Sequence, residues 1–174
     1  MSGRAPSLSD LLAPSAVVIG AGAGDWRAAV TRAGEALIAG GATTAAYTDE
    51  MIATVEQLGP YIVIAPGMAL AHSRPSPAVL HAGISLVTLA QPVAFGHKQN
   101  DPVSLVVGLA APDEEGHVEA LSTLAEFLSE GSRRDALLRA DSTEQVIDMV
   151  RAFEREQAAQ TKGAVQPEES EARG

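Results

Sequence analysis

The chain has 174 residues, of which 46% are hydrophobic and 3% aromatic, which suits one domain with a mainly aliphatic core. Its formal net charge of -10 disfavours broad electrostatic binding to nucleic acid or anionic lipid, because both need basic patches on the protein. The absence of cysteine excludes disulfides, thiolate zinc sites and cysteine nucleophiles.

The two ends of the chain are polar and show no pattern typical of membrane targeting. No apolar run approaches the roughly 20 residues that span a bilayer, and residues 1–10 lack the apolar stretch of a signal peptide. We therefore expect a soluble, cytoplasmic protein. From about residue 154 the apolar periodicity stops, so we predict one domain over 1–155 and a polar tail over 156–174 that is helical at first and then disordered.

The first sixty residues alternate between helical and strand-like patterns. Asp25 has the position of an N-cap ahead of a helical pattern that ends at Gly40, and Gly59 ends a second one. The predicted elements are a helix over 7–12, a strand over 16–20, a helix over 26–39 and a helix over 44–58.

The rest of the chain has strands followed by helices. Runs of apolar and β-branched residues predict strands over 61–65, 84–90, 93–95 and 103–109. Helices are predicted after Pro112, over 133–139 and over 143–153. In the helix after Pro112, the residues expected to face the core are Val118, Leu121, Leu124, Ala125 and Leu128. These elements predict an α/β fold, a single layered domain with a central mixed β-sheet flanked by helices.

Three common functional motifs are incomplete in this sequence. A dinucleotide-binding fingerprint needs a third glycine where this chain has Asp25, so the stretch after Gly20 is better explained as a flexible turn between a strand and a helix. Ser85 lacks the following glycine of a nucleophile elbow. No two of the four histidines have the i, i+4 spacing of a helical zinc site, and we expect no bound metal.

Three histidines lie next to predicted strands or helices. His72 follows the strand over 61–65 and lies in a loop predicted over residues 66–75. His97 is in a turn before the last strand, and His117 is in the first turn of the next helix. Histidines at the ends of strands can converge on one site, but each is also explained as a surface residue.

A longer pattern surrounds these histidines, and its most specific part is QLGPYIVIAPGMALAHSRP at residues 57–75. It continues through LVTL at 86–89, PVAFGH at 92–97, NDPV at 100–103 and the helix that contains His117. Over residues 26–150 the chain resembles the IIA component of the sugar phosphotransferase system. Within the fructose/mannitol superfamily it is most similar to the ascorbate type, and the resemblance implies the α/β fold of that superfamily.

The resemblance implies a role for two of the histidines. It identifies His72 as the residue that accepts a phosphoryl group from the carrier protein HPr, and His117 as the histidine that faces it. Imidazole is largely neutral near pH 7, so a ring nitrogen can attack phosphorus without an added base. A second histidine can donate a hydrogen bond to the phosphoryl oxygens. The candidates for binding or supporting roles are Ser73, Arg74, His97 and Asp101.

The resemblance also implies partners. The next phosphoryl acceptor is a cysteine of a IIB component, and a membrane IIC component takes part indirectly. Because this chain has no cysteine, it can be the A component and not also the B component. The expected substrate of the system is ascorbate, with no cofactor; a homodimer and a monomer are both compatible with the sequence.

Two residues depart from the pattern of the family. Most members have proline immediately before the active histidine, whereas this chain has Ala71, which predicts a less rigid loop. The mannitol branch also carries an arginine on the preceding helix. Residues 51–58 contain none, as in the ascorbate branch, so Arg74 is a candidate source of positive charge.

Two other functions stay open at the level of sequence. A regulatory IIA-like protein would use the phosphorylation state of His72 to control a partner without transport. Genes for IIB and IIC components beside this one favour transport, and their absence favours regulation. An unrelated acidic binding module is compatible only with a His72 that does not accept phosphate.

Overall fold

A mixed five-stranded sheet forms the centre of the structure, a computed structural model that describes residues 6–164. The strands are β1 (Val17–Ala21), β2 (Val63–Ala65), β3 (Met68–His72), β4 (Gly83–Val93) and β5 (Val103–Ala110). Their order in the sheet is β1-β4-β5-β3-β2. The pairs β1–β4 and β3–β5 are parallel, whereas β4–β5 and β2–β3 are antiparallel.

Helices cover both faces of this sheet. They are α1 (Leu8–Leu11), α2 (Trp26–Ala39), α3 (Ala45–Leu58), α4 (Glu114–Leu128), α5 (Gly131–Arg139) and α6 (Thr143–Ala164), with short 3₁₀ helices at Pro14–Ala16 and Pro60–Ile62. Successive residues of a strand face opposite sides. Accordingly, Val106 packs in the cluster beneath α2 and α3, while Leu105 packs in the cluster beneath α1, α4 and α6. This arrangement confirms the predicted α/β layered fold.

The predicted loop over residues 66–75 is wrong, because Met68–His72 forms strand β3 and pairs in parallel with β5. Gly67, with φ of +75°, makes the tight turn that joins β2 to β3. The first four residues of β3 are buried, so the strand lacks the alternation of apolar and polar residues that reveals a half-exposed strand. The strand predicted over 93–95 is also not separate, since Val93 ends β4.

The position before His72 is therefore in a strand and not in a loop. Ala71 is 1% exposed and is the register partner of Gly108 in β5. The expectation that Ala71 makes a loop less rigid does not apply, because the parallel ladder with β5 holds this backbone.

Helix α4 is rotated relative to the prediction. Val118 is 62% exposed and Leu121 is 36% exposed, although both were expected to face the core. The buried side of α4 consists of Ala120, Leu124, Phe127 and Leu128. Because His117 lies three residues before Ala120, it is on this buried side and faces the sheet.

Helix α6 crosses the predicted boundary between the domain and its tail. The helix continues to Ala164, in keeping with the prediction that the tail begins as helix. Its Phe153 is 6% exposed, whereas residues 158–160 are exposed. The disorder predicted for the end of the tail falls on residues 165–174, which lie outside the described residues.

Candidate active site

His72 is the last residue of β3, and its register partner in β5 is Leu109. Because β3 and β5 are parallel, their carboxyl ends meet at the same edge of the sheet. After β5 the chain turns into α4, whose N-cap Asp113 accepts a hydrogen bond from the N–H of Gly116 at 2.7 Å. The first turn of α4 brings His117 back to His72, and the two ring centroids are 5.7 Å apart.

The tautomer of His72 follows from its backbone contact. Its Nδ1 lies 2.9 Å from the carbonyl oxygen of Leu70. A carbonyl only accepts hydrogen bonds, so Nδ1 carries the proton and Nε2 carries the lone pair. On that side, the hydroxyl of Tyr61 is 3.4 Å from Nε2, and the two rings meet edge to face. The nitrogen that can act as a nucleophile is therefore Nε2.

Burial keeps this imidazole neutral. It lowers the pKa of His72 below the ordinary value of 6.5, because the charged form loses solvation. The hydrogen bond to Leu70 opposes this shift in part, and the charge of the nearby His117 lowers the pKa further. At neutral pH the Nε2 lone pair is therefore available.

An open cavity of about 730 Å³ lies in front of His72 and His117. Its other lining residues that carry polar groups are Thr54, Gln57, Tyr61, Ser73, Arg74 and Glu114. Among the described lining residues, Arg74 carries the fixed positive charge and Glu114 the negative charge. Nδ1 of His117 is buried and has no hydrogen-bond partner in the described part of the chain.

A stripe of polar side chains on α3 holds the segment that follows His72. The hydroxyl of Tyr47 accepts a hydrogen bond from the N–H of Ser73 at 2.9 Å, and Thr54 Oγ1 is 3.1 Å from Ser73 Oγ. One turn away, Ser76 Oγ donates to Glu50 Oε1 at 2.7 Å. These α3 residues were not predicted as part of the site, although their i, i+3, i+7 spacing on one helix face was a usable signal.

Tyr61 was also not predicted as a site residue, since its position read as the start of a strand. It lies instead in the 3₁₀ helix Pro60–Ile62 and is 43% exposed. Ser73 and Arg74, which were predicted, do line the cavity with His72 and His117. Arg74 is exposed and adds positive charge to the cavity lining.

His97 and Asp101 are at the other end of the sheet. They precede β5, and the start of β5 pairs with Met68 at the far end of β3 from His72. Asp101 accepts hydrogen bonds from the backbone N–H groups of residues 95–97. His97 Nδ1 accepts from those of residues 99 and 100. The structure does not bring this pair to the cavity, because both side chains are used to stabilise a turn.

Two further observations concern residues 6–164. Within this range, no three histidine, aspartate or glutamate side chains are grouped closely enough to hold a metal ion. None of the helices in the same range is both long and apolar enough to cross a bilayer.

Curated relatives cover most of this chain. An ascorbate-specific phosphotransferase system EIIA component of Salmonella typhimurium is 34% identical over 145 residues, which are 82% of this chain and 94% of that protein. The component of the same name from Escherichia coli K12 is 40% identical over 126 residues, or 72% of this chain and 82% of that protein.

Solved structures show the same fold. The mannitol-specific cryptic enzyme IIA CmtB of Escherichia coli is similar with a TM-score of 0.74 and 32% identity, over 82% of this chain and 97% of that one. The complex of IIA and phosphorylated IIB for mannitol from the same organism is similar with a TM-score of 0.71 and 25% identity, over 82% of this chain and 99% of that one. The nitrogen regulatory protein IIA-Ntr of Neisseria meningitidis is similar with a TM-score of 0.68 and 28% identity, over 80% of this chain and 96% of that one.

A family model gives the assignment directly. The model for EIIA 2 of the phosphoenolpyruvate-dependent sugar phosphotransferase system matches residues 10–152, which include β1 to β5 and both histidines of the cavity. The match spans far more than half of the chain and agrees with the relatives and the fold. The chain therefore belongs to the EIIA 2 family of the phosphoenolpyruvate-dependent sugar phosphotransferase system.

Proposed function

We propose that this chain is a cytoplasmic phosphocarrier that accepts a phosphoryl group from phospho-HPr on Nε2 of His72 and passes it to a cysteine of a IIB component. The observation that carries the proposal is the state of His72. Its Nδ1 is bonded to the Leu70 carbonyl, and its ring lines an open cavity of about 730 Å³. A neutral imidazole held in this way is a nucleophile that needs no separate base.

The transfer step forms one bond and breaks another. The lone pair of Nε2 forms a bond to phosphorus, while the bond between phosphorus and its donor breaks and leaves its electron pair on the donor. No proton has to leave His72 in this step, because the proton of the ring is already on Nδ1. The same step, with Nε2 as the leaving group, delivers the phosphoryl group to the next acceptor.

His117 and Arg74 stabilise the charge of the phosphoryl oxygens in this proposal. The His117 ring lines the cavity beside His72, and a ring N–H of His117 donates a hydrogen bond to a phosphoryl oxygen. Catalysis of phosphoryl transfer depends on positioning and on such charge stabilisation. Ser73 fixes the backbone next to His72, whereas His97 and Asp101 support the fold at the opposite end of β3.

The next acceptor and the substrate rest on the relatives. A related IIA chain is solved in complex with a phosphorylated IIB, which supports a IIB partner here. The 34–40% identity to ascorbate-specific components supports ascorbate as the sugar that the whole system transports. The membrane IIC component takes part only through IIB.

The test uses phosphoenolpyruvate, enzyme I and HPr with the full chain, followed by intact-mass and peptide mass spectrometry. We expect one acid-labile phosphate per chain, which is absent in His72→Gln. The matched control is His81→Gln, because His81 Nδ1 also bonds a carbonyl oxygen at 2.9 Å but lies outside the cavity. Phosphate that persists in His72→Gln would contradict the assignment.

A regulatory role is the second candidate, and one observation favours it. The fold is similar to that of the nitrogen regulatory protein IIA-Ntr with 28% identity, although the ascorbate-specific components are 34–40% identical. Transfer from the phosphorylated chain to a IIB component of the ascorbate type distinguishes the two roles. Transfer supports the carrier role, whereas a phosphorylated chain that never donates to IIB supports regulation.

A further inference from the structure

Tyr61 stands beside the nucleophile although it is on a different element. The chain leaves α3 at Gly59, whose φ is +86°, and the short helix Pro60–Ile62 carries the phenol to the end of β3. Its hydroxyl is 3.4 Å from His72 Nε2, and the ring centroids are 5.7 Å apart. The His117 ring is at the same centroid distance of 5.7 Å from the His72 ring. His72 therefore has both a phenol and an imidazole as ring neighbours.

The direction of the Tyr61 contact follows from the tautomer of His72. Because Nδ1 holds the ring proton against the Leu70 carbonyl, Nε2 can only accept. The Tyr61 hydroxyl is therefore the donor. The distance of 3.4 Å is long for a hydrogen bond, so this contact is weak and easily exchanged for a better one.

We propose that Tyr61 is a catalytic residue, whose hydroxyl moves from Nε2 to a phosphoryl oxygen as the bond between Nε2 and phosphorus forms. This inference rests on the proposed phosphocarrier function. The phosphoryl group takes the position on Nε2 that the hydroxyl faces, so its oxygens come within reach of the same donor. Tyr61 keeps its proton throughout, and the electron pair of the broken bond stays on the phosphoryl donor.

The charges of the cavity explain why such a neutral donor has an effect. A phosphoryl group brings about two negative charges, and among the described lining residues the fixed charges of Arg74 and Glu114 are opposite in sign. Neutral donors must therefore stabilise part of this charge. Burial raises the pKa of Tyr61 above its ordinary value of 10.0, so the phenol keeps its proton at neutral pH.

The test compares Tyr61→Phe, which removes only the hydroxyl, with Tyr61→Leu, which also removes the ring. Transfer from phospho-HPr is measured by rapid quench. We expect kcat to fall about tenfold in Tyr61→Phe, because a hydrogen bond to a charged acceptor is roughly twice as strong as the neutral one that it replaces. KM for phospho-HPr should stay unchanged in this variant, and Tyr61→Leu should be at least as slow.

A second measurement examines the free protein. The ¹⁵N chemical shift of His72 Nε2 should change in Tyr61→Phe, because the nitrogen loses its donor. A kcat within about twofold of wild type would overturn the inference, and so would an effect on KM alone, which indicates docking. If the wild-type chain accepts no phosphate, the proposed function itself is wrong. If the wild type and Tyr61→Phe accept phosphate at equal rates, only the inference about Tyr61 is wrong.

Discussion

The hydroxyl of Tyr47 accepts a hydrogen bond from the backbone N–H of Ser73 at 2.9 Å. The same hydroxyl donates to the carbonyl oxygen of Leu109 in β5 at 2.8 Å, and Tyr47 is fully buried. One side chain of α3 thus ties the residue after His72 to the strand beside it. Burial raises the pKa of Tyr47 to about 12, so this hydroxyl is never ionised at physiological pH.

The first prediction concerns this hydroxyl. Tyr47→Phe should lower the free energy of unfolding by about 2–3 kcal/mol, because the buried carbonyl of Leu109 and the half-buried N–H of Ser73 lose a partner. Urea unfolding measures the change. The matched control is the same substitution at Tyr61, which is 43% exposed and should change stability by less than about 0.5 kcal/mol.

Tyr47→Phe should also slow transfer at a temperature where the variant is fully folded, because Ser73 no longer fixes the end of β3. Circular dichroism establishes the folded state, and the rate with phospho-HPr is then compared with that of the wild type. Equal rates and equal stabilities would show that this contact does not hold the site.

The second prediction concerns His117. If it donates a hydrogen bond to the phosphoryl oxygens, His117→Ala should slow transfer by on the order of 10²–10³-fold, the usual effect of removing one such donor. His72 should still accept phosphate, only more slowly. Stopped-flow or rapid-quench rates from phospho-HPr, and onward to IIB, measure both steps. Rates within about threefold of wild type on both would leave His117 without a catalytic role.

The third prediction concerns pH. The pKa of His72 is lower in the folded protein than its ordinary value of 6.5, so the unfolded chain binds more protons between the two values. The stability that results is present above pH 6.5 and is lost as the pH falls through the folded pKa. The His72→Gln variant lacks this pH-dependent contribution to the free energy of unfolding. Between pH 7.5 and pH 5 it should therefore lose less stability than the wild type. Urea unfolding at both pH values tests this, and equal losses would contradict it.

The pKa of His72 can also be followed directly by NMR titration of its ring protons. The midpoint should lie below 6.5, chiefly because the ring is buried. In His117→Gln it should rise, since the charge of His117 no longer opposes protonation of its neighbour. A midpoint at or above 6.5 in the wild type would show that burial does not dominate.

The fourth prediction concerns the boundary between domain and tail. Deleting residues 158–174 should change the free energy of unfolding by less than about 0.5 kcal/mol, because residues 158–160 are exposed. In contrast, Phe153→Ala should lower it by about 3–5 kcal/mol. Phe153 is 6% exposed and packs on Phe127 with ring centroids 5.2 Å apart. A loss above 1 kcal/mol in the deletion would show that the tail packs on the domain.

Local signals in the sequence were sufficient to predict most of the helices. Asp25 caps α2 as predicted, since its side chain accepts a hydrogen bond from the N–H of Ala28, three residues away. The acidic start of α4 likewise placed His117 in its first turn. Such caps depend on neighbours in sequence, so a sequence contains the information needed to predict them.

What depends on distant residues could not be predicted. Strand β3 is buried on both faces, so its apolar run has no period that separates a strand from a loop. The rotation of α4 depends on how it packs against the sheet. Exposed apolar residues such as Val118 fit the helical period as well as the buried ones, so the sequence predicted the wrong buried side. The contact between Tyr61 and His72 joins two elements, and only the structure shows it.

The central claim is that Nε2 of His72 carries the phosphoryl group, and NMR of the phosphorylated chain tests it most directly. In a sample labelled with ¹⁵N, coupling to phosphorus should appear at Nε2 of His72, while Nδ1 keeps its proton and its bond to the Leu70 carbonyl. Phosphorus on Nδ1 of His72, or on any atom of His117, would contradict the account.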